Sequence, residues 1–354
     1  MRTMSSRDSD SGVAAGEAVH HLAVSGGQDT VIEVEGLVKR FGSHAAVDGL
    51  SFTVQRGEIF GLLGPNGSGK TTTINLISGL AVPTGGRVAV FGRDPRRQAG
   101  EVRQRLGVVP QETALYEELS AERNLVFHAE LYGIRGRERR QRVTSMLELA
   151  QLTDWAHARV STFSGGMKRR LAIVRALLHE PELIYLDEPT LGVDVQARHV
   201  IWDYILKMQA EGRTVLLTTN YLEESDQLCD RIAVIDDGRL VALDTPARLK
   251  GRYGTGLAEL ELGAAPGPEL VHRLQEIAGV RDVHVENRSL RLALASEESH
   301  QEAITAADGE ARGAVLPRIL AVLTEAGAEV RQLSLKEPSL DEVFLALTGK
   351  GVRD

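Results

Sequence analysis

The residues best able to do chemistry form one run, Gly64-Pro65-Asn66-Gly67-Ser68-Gly69-Lys70-Thr71. It lies between the apolar stretch Ile59 to Leu63 and a helical pattern that places Ile74, Ile77 and Leu80 on one face. Glycines at both ends let the backbone turn sharply and approach a polyphosphate, so that successive N–H groups point at its oxygens. A helix opening at Lys70 adds its positive N-terminal end, Lys70 supplies a mobile charge for the outer phosphates, and the Thr71 hydroxyl suits a magnesium ion. A glycine-rich turn that binds nothing would not need this spacing and both flanks, so the run reads as a phosphate-binding loop, with Thr72 beside it.

A second constellation follows downstream. Leu183 to Leu186 reads as a short buried strand that runs into Asp187-Glu188. Strand alternation sends the two carboxylates to opposite sides, so Asp187 can hold the magnesium shell while Glu188 faces an attacking water as general base. Without the phosphate-binding loop, the same pair would read as a solvated strand end. Ser164-Gly165-Gly166-Met167 precedes a helix with Leu171, Val174, Leu177 and Leu178 on one face, and Ser164 can cap it. Taken alone Ser-Gly-Gly is only a turn, but two glycines at a capped N-terminus also offer a second anion site. Asp194 opens a helix with Ile201, Tyr204, Ile205 and Met208, and a buried strand from Thr214 to Thr218 leads to Asn220.

Several elements must position these groups. Alternation through Ile32, Val34 and Leu37, a turn at Gly42 to His44, and alternation again through Leu50, Phe52 and Val54 predict an antiparallel strand pair ahead of the loop. Phe41 stands just before that turn, where it either stacks on a base or belongs to the core. Short strands are expected at Arg87 to Phe91, Leu106 to Val109 and Ile232 to Ile235, and Gln111 follows the second of these. A mostly helical stretch from about Ser120 to Thr153 carries Leu125, Leu131, Met146, Leu147 and Leu149. Its run Arg135, Arg137, Arg139, Arg140 and Arg142 could suggest nucleic acid, but Glu138 interrupts it and no aromatics accompany it, which favours a solvated or partner-docking face.

Composition bounds the rest. The 354 residues suffice for two or three domains, and 41 Lys plus Arg against 49 Asp plus Glu give a net charge of -8, with no global pull toward nucleic acid or anionic lipid. Cys229 is the single cysteine, so no internal disulfide forms and a reducing compartment is expected, with the thiol packed in a helix. The chain has no apolar run of eighteen residues and no secretion-signal core, which points to the cytoplasm. Residues 1–29 lack sustained periodicity and read as a disordered tail with two candidate starts, Met1 and Met4.

The order of Phe41, Gly64 to Thr71, Gln111, Phe163 to Met167, Leu183 to Glu188 and Leu191-Gly192-Val193-Asp194 resembles the nucleotide-binding subunit of an ABC transporter over about residues 31–248. The stretch Ser164-Gly165-Gly166-Met167-Lys168-Arg169-Arg170 and the late run Pro338 to Gly349 resemble, more narrowly, the daunorubicin-resistance type of exporter ATPase. The resemblance implies an α/β, RecA-like P-loop NTPase core with an antiparallel β subdomain and an inserted helical subdomain at about residues 112–160. It also implies ATP and magnesium as ligands, stacking of Phe41 on adenine, sensing of magnesium and water by Gln111, and bridging of two copies by Asp194. Such subunits pair head to tail, each nucleotide lying between one copy's Gly64 to Thr72 and the other's Ser164 to Gly166. The implied partner is a separate membrane-spanning ABC-2 type permease, which would hold the chain on the inner face of the cell membrane.

From Thr245-Pro246 onward the composition changes, and residues 249–354 read as a second module for dimer contact, regulation or simple capping. Its pattern is β-α-β-β-α-β: Leu257 to Leu262, Pro268 to Ile277, two strands about Asn287 to Ser289, Val315 to Ala326, and Glu329 to Leu335. That order is ferredoxin-like; Ser296 to Gly313 interrupt it as a polar mobile loop, and a last short helix carries Leu340, Val343, Phe344 and Leu347. A soluble ABC ATPase acting on ribosomes or DNA is the weaker alternative, because one cassette is present without heptad arrays or zinc-type cysteines. Importer ATPases of the same fold fit the C-terminal run less well, and Lys70, Asp187 and Glu188 argue against a non-hydrolysing module.

One residue departs from the family pattern: Asn220 stands where most of these ATPases place a histidine against the terminal phosphate. An asparagine amide still donates a hydrogen bond but is shorter and never cationic. Asn220→His is therefore expected to raise the turnover rate with ATP-driven closure intact; an unchanged rate in a steady-state ATPase assay would refute this reading.

Overall fold

The computed structural model describes residues 29–253, 256–294, 315–336 and 338–348. The expected N-terminal tail, apart from Asp29, and the Ser296 to Gly313 segment fall outside them.

The chain begins with β1 (Thr30–Phe41), β2 (His44–Gln55), β3 (Ile59–Leu63), α1 (Lys70–Ile77), β4 (Gly85–Val90), α2 (Ala99–Gln104) and β5 (Leu106–Val109). Strands β2, β1 and β4 form an antiparallel sheet in that order. Helix α1 stops at Ile77, and Leu80, expected on its apolar face, is exposed outside it. Helices α3 (Ala121–Leu131) and α4 (Gly136–Leu149) follow, then α5 (Gly165–Leu177), β6 (Leu183–Asp187), α6 (Val195–Ala210), β7 (Thr214–Thr219), α7 (Leu222–Leu228), β8 (Arg231–Asp236), β9 (Arg239–Asp244) and α8 (Pro246–Tyr253). What reads in sequence as one helical stretch from Ser120 is broken after Tyr132, where Gly133 takes a positive φ of 75°. Leu131, expected among its apolar positions, is exposed there.

The second sheet has the order β5-β6-β7-β3-β8-β9, parallel through β8 and closed at one edge by antiparallel β9. Every residue of β3, β6 and β7 is buried, which is why β3 and Leu183 to Leu186 of β6 are continuous apolar runs rather than alternating ones, while β7 holds Val215 to Leu217 between buried threonines. Alternate side chains feed two cores. On one face Ile59, Leu63, Ile184, Leu186, Val215 and Leu217 meet α5 and α6; on the other Phe60, Leu62, Tyr185 and Leu216 meet the first sheet and α1. Phe52 and Phe60 stack across the second core with ring centroids 5.3 Å apart. Helix α5 is buried on two sides, because Leu171, Val174 and Leu178 also carry the α3–α4 insertion through Ala121, Leu125, Val143 and Leu147. Cys229, at the end of α7, is buried beside Gly61.

A third sheet is built from β10 (Gly256–Leu262), β11 (Val280–Glu286), β12 (Ser289–Leu294) and β13 (Val330–Lys336). Its order β11-β12-β10-β13, antiparallel throughout, is that of a ferredoxin-like module. Helices α9 (Pro268–Gln275) and α10 (Val315–Glu325) cover one face through Leu270, Leu274, Ile319 and Leu323. The last helix, α11 (Leu340–Thr348), does not pack on this module, in contrast to its place in the sequence pattern. Leu340, Val343 and Phe344 join Leu249 of α8 in the core beside the six-stranded sheet. A capping box starts α11: the Ser339 hydroxyl accepts from Glu342 N at 3.3 Å, and Ser339 N donates to the Glu342 carboxylate at 3.2 Å. Among the described residues, no helix is long and apolar enough to cross a membrane.

Phe344 is 1% exposed whereas Leu345 is 55% exposed, so truncating each separates core packing from helix propensity. Phe344→Ala is expected to destabilise by about 3–5 kcal/mol and Leu345→Ala by roughly 0.5 kcal/mol or less, measured as shifts in the first chemical-denaturation transition.

Candidate functional site

The loop from Gly64 to Gly69 joins the end of β3 to the start of α1, at the carboxyl edge of the parallel strands. Two of its glycines are required by space. A Cβ on Gly64 would lie 2.3 Å from the carbonyl oxygen of Ile235, and one on Gly69, at φ 101°, would lie 2.3 Å from that of Ala46. Lys70 is only 5% exposed; its Nζ donates to the carbonyls of Gly64 at 2.6 Å and Pro65 at 3.0 Å, folding the side chain back over the loop. Burial lowers the Lys70 pKa, and the carboxylates of Glu188 and Asp187 oppose that shift. The first turn of α1 contains no acidic residue, so the positive end of its dipole is not neutralised from within. Ser68 Oγ is buried and has no hydrogen-bond partner among the described residues. Asn66, Gly67 and Thr71 are exposed and Thr72 is half-buried.

The end of β6 supplies the carboxylates and β7 the hydroxyl that meets one of them. Asp187 closes β6 opposite Thr218, whose hydroxyl donates to Asp187 Oδ1. Glu188 is not a strand residue: its φ is +47°, and its N–H donates to the carbonyl of Thr218 at 2.9 Å. The backbone therefore turns between the two carboxylates, so strand alternation, as the sequence suggested, does not set their relation, and both act on Lys70. Gln111, after β5, donates from Nε2 to Glu188 Oε2 at 3.2 Å. Burial raises the Glu188 pKa; Lys70 opposes this, Asp187 reinforces it, and Arg169 opposes it. Asn220 immediately follows β7, with a buried Oδ1 that lacks a partner among the described residues.

Two buried charged residues here are absent from the sequence-based candidates. Arg169, on α5 and 3% exposed, donates to four carbonyls: Pro189 at 2.7 Å, Asp187 at 2.7 Å, Pro110 at 2.7 Å and Gln111 at 3.3 Å. Burial lowers its pKa to about 10. Glu224 on α7 is wholly buried and accepts from Thr190 Oγ1 at 2.9 Å and Trp202 Nε1 at 3.0 Å, with its pKa raised by burial. In the sequence Arg169 is one of three consecutive basic residues and Glu224 one of two acids, so neither stands out from a solvated run.

The remaining candidates lie in separate places. Ser164 and Gly165 are exposed at the start of α5, where the Ser164 hydroxyl accepts from Met167 N at 3.3 Å as an N-cap. Beside them runs the Gly192–Asp194 loop: a Cβ on Gly165 would lie 3.8 Å from the Gly192 carbonyl oxygen, and Asp194 caps α6 through Ala197 N at 2.9 Å. Phe41 is 58% exposed at the end of β1, with Lys39 Nζ 4.8 Å from its ring centroid, so it is not a core residue. One chain thus presents a phosphate-type loop with clustered carboxylates, and elsewhere an exposed glycine loop at a helix N-terminus.

Comparison with known proteins accords with this geometry. A family model described as ABC transporter matches residues 47–191. The chain is 38% identical to the linearmycin resistance ATP-binding protein LnrL of Bacillus subtilis, across 92% of this chain and 100% of that one. It is 39% identical to the daunorubicin/doxorubicin resistance ATP-binding protein DrrA of Streptomyces peucetius (91% and 94%), and 37% identical to the Nod factor export ATP-binding protein I of Ralstonia nicotianae (93% and 97%). Among solved structures, an ATP-binding subunit of an ABC transporter superposes with a TM-score of 0.58 at 32% identity, covering 62% of this chain and 92% of that one. A dimeric ATP-binding cassette in a post-hydrolysis state, bound to ADP and Pi, gives a TM-score of 0.56 at 27% identity, covering 60% and 98%. The chain belongs to the ATP-binding subunits of ABC transporters, on the branch that holds the drug-resistance and Nod factor export ATPases. It is an ATP-hydrolysing subunit of an ABC-type exporter.

The crowding at Gly64 yields a direct test. Gly64→Ala is expected to weaken binding of a fluorescent ATP analogue by about tenfold or more, because the loop must move away from Ile235. Gly57→Ala, at φ 75° with nothing within 4 Å of the new Cβ, is expected to cost only about 1 kcal/mol of stability and to leave affinity unchanged.

Proposed function

We propose that this chain powers export of an antibiotic-like or other hydrophobic compound through a separate membrane-spanning subunit of the ABC-2 type, hydrolysing ATP with magnesium while held on the inner face of the cell membrane. The observation that carries the mechanism is the convergence of Lys70, Asp187, Glu188 and Gln111 at one edge of the sheet. Glu188 acts as general base: burial raises its pKa above the ordinary carboxylate value, which makes it a stronger proton acceptor than an exposed one. It takes the proton of the attacking water while Gln111 orients the carboxylate through the 3.2 Å hydrogen bond. Lys70 leaves the carbonyls of Gly64 and Pro65 for the outer phosphates, and the backbone N–H groups from Asn66 to Thr72 cradle the rest. The asparagine at 220 offers its amide to the terminal phosphate.

The donor set suits magnesium. Among the described residues no group of three or more His, Cys, Asp or Glu forms a cage, and magnesium bound with nucleotides characteristically uses one or two carboxylates plus phosphate oxygens. Asp187, the Thr71 hydroxyl and the Gln111 amide oxygen would hold it, and when bound it neutralises charge that develops on the phosphoryl oxygens.

Two copies pair head to tail in the ATP-bound state, with Ser164, Gly165 and Gly166 of one completing the nucleotide site of the other, Asp194 bridging them and Phe41 stacking on adenine. The exposure of Phe41, Ser164, Gly165 and Asp194 supports this reading. The α3–α4 insertion carries the motion to the membrane subunit; Tyr116 and Phe127, exposed and edge to face at 5.1 Å near the Gln111 loop, suit a protein partner. Residues 30–248, with Leu249 and α11 packed into their core, form the ATP-binding domain, and the rest of residues 249–354 contributes dimer contact or regulation.

The test is capture of the closed state. Tagged Glu188→Gln protein with Mg-ATP, pulled down from solubilised membranes, is expected to recover a polytopic hydrophobic protein by mass, in at least about tenfold excess over a nucleotide-free control. Recovery of ribosomes, nucleic acid or no membrane protein would overturn the export reading.

A further inference from the structure

Arg169 stands where three segments meet, and among the described residues its hydrogen bonds all go to backbone carbonyls, while the Asp187, Glu224 and Glu188 carboxylates act on it electrostatically. Its guanidinium donates to the carbonyls of Asp187 and Pro189, each at 2.7 Å, which flank Glu188 on both sides. It also donates to the carbonyls of Pro110 at 2.7 Å and Gln111 at 3.3 Å. One planar cation therefore pins the backbone on both sides of the 3.2 Å hydrogen bond from Gln111 to Glu188. Glu188 needs such support: at φ +47° a residue with a side chain is strained by roughly 1 kcal/mol or more, and such a conformation persists only when its surroundings over-determine it. Arg169 is also one helical turn from Gly165 and Gly166, the exposed glycine loop at the N-terminus of the same helix.

We propose that Arg169 is a positioning residue for hydrolysis: it holds Glu188 and Gln111 in register through their backbones, and any shift of α5 at its glycine loop reaches the carboxylate through this one guanidinium. The inference rests on the reading of Glu188 as general base. A fork of five N–H donors spans four carbonyls on two segments, which a lysine ammonium, a single point with three donors, does not reach. Because nucleotide phosphates are held by the Gly64 to Thr72 loop, a change at Arg169 should act on the chemical step and spare binding.

The experiment uses the full chain as wild type, Arg169→Lys, Arg169→Gln, Glu188→Gln and the two double variants. Steady-state hydrolysis, affinity for a fluorescent ATP analogue and thermal midpoint are measured on each. Arg169→Gln is included because it removes the buried cation together with part of its bonding, avoiding the cost of an under-bonded charge in Arg169→Lys. Both single variants at 169 are expected to lose about thirtyfold or more in kcat with analogue affinity within about threefold of wild type. In the Glu188→Gln background the same changes are expected to slow the residual rate by less than about threefold, since the group they position is gone. Parallel losses of affinity and kcat in both variants, or an equal slowing in the Glu188→Gln background, would overturn the inference while leaving the general-base reading in place. A wild-type rate for Glu188→Gln alone would overturn that reading, and the inference with it.

Discussion

The whole site depends on the register of three adjacent buried strands. In β6, β7 and β3, Asp187 lies opposite Thr218, and Leu63 lies opposite Thr219. The last ladder positions of the sheet therefore bring the carboxylates of one crossover, the hydroxyl of a second and the glycine loop of a third to the same edge. None of these groups reaches far with a long side chain. Their separation is set by backbone hydrogen bonding between strands about 4.8 Å apart, and the apolar layers on both faces keep that spacing from relaxing. A polar group at the end of such a strand is held by the sheet's full packing energy, which is why short residues such as Asp187 and Thr218 suffice.

Concentrating charge at that edge is costly, and the surroundings show how the cost is met. Lys70, Arg169, Glu188 and Glu224 are all largely buried, and each has a pKa displaced toward its neutral form by that burial. Each is offset in a different manner. Lys70 borrows two loop carbonyls, Arg169 collects four, Glu188 takes an amide from Gln111, and Glu224 is held by a threonine and a tryptophan. The offsets that use backbone carbonyls are insensitive to sequence, so side chains around them are free to vary. Those that use Gln111 or Thr190 couple the identity of one residue to another.

The parts legible in the sequence are those where chemistry restricts residue type. The glycine loop was readable because only glycine tolerates the approach of the Ile235 and Ala46 carbonyls. Strands β3 and β6 were readable because complete burial leaves apolar runs, β7 because its apolar centre sits among β-branched residues, and the ferredoxin-like order because its periodicities change cleanly from two to 3.6. Where several residue types satisfy the same geometry, the sequence was silent or misleading. The break between α3 and α4 needs only Gly133 and Gly136, antiparallel β9 has a half-exposed pattern close to that of a loop, and short α2 buries little beyond Val102. The positive φ of Glu188 has no residue preference to announce it, because tertiary contacts impose it. Arg169 and Glu224 look like surface charges until the fold encloses them.

The return of α11 has a consequence for how the molecule is made. Leu340, Val343 and Phe344 complete a core that also contains Ile59, Ile184 and Val215, strand residues emerging from the ribosome some hundred or more positions earlier. The ferredoxin-like module is thus topologically an insertion rather than an appendage: the chain departs after α8, builds another sheet, and comes back to finish the first. During synthesis the six-stranded sheet can pair, but part of its apolar face must wait, exposed, until α11 is translated. Full packing of that core therefore waits for α11, and a product cut short within the second module would carry an open hydrophobic seam.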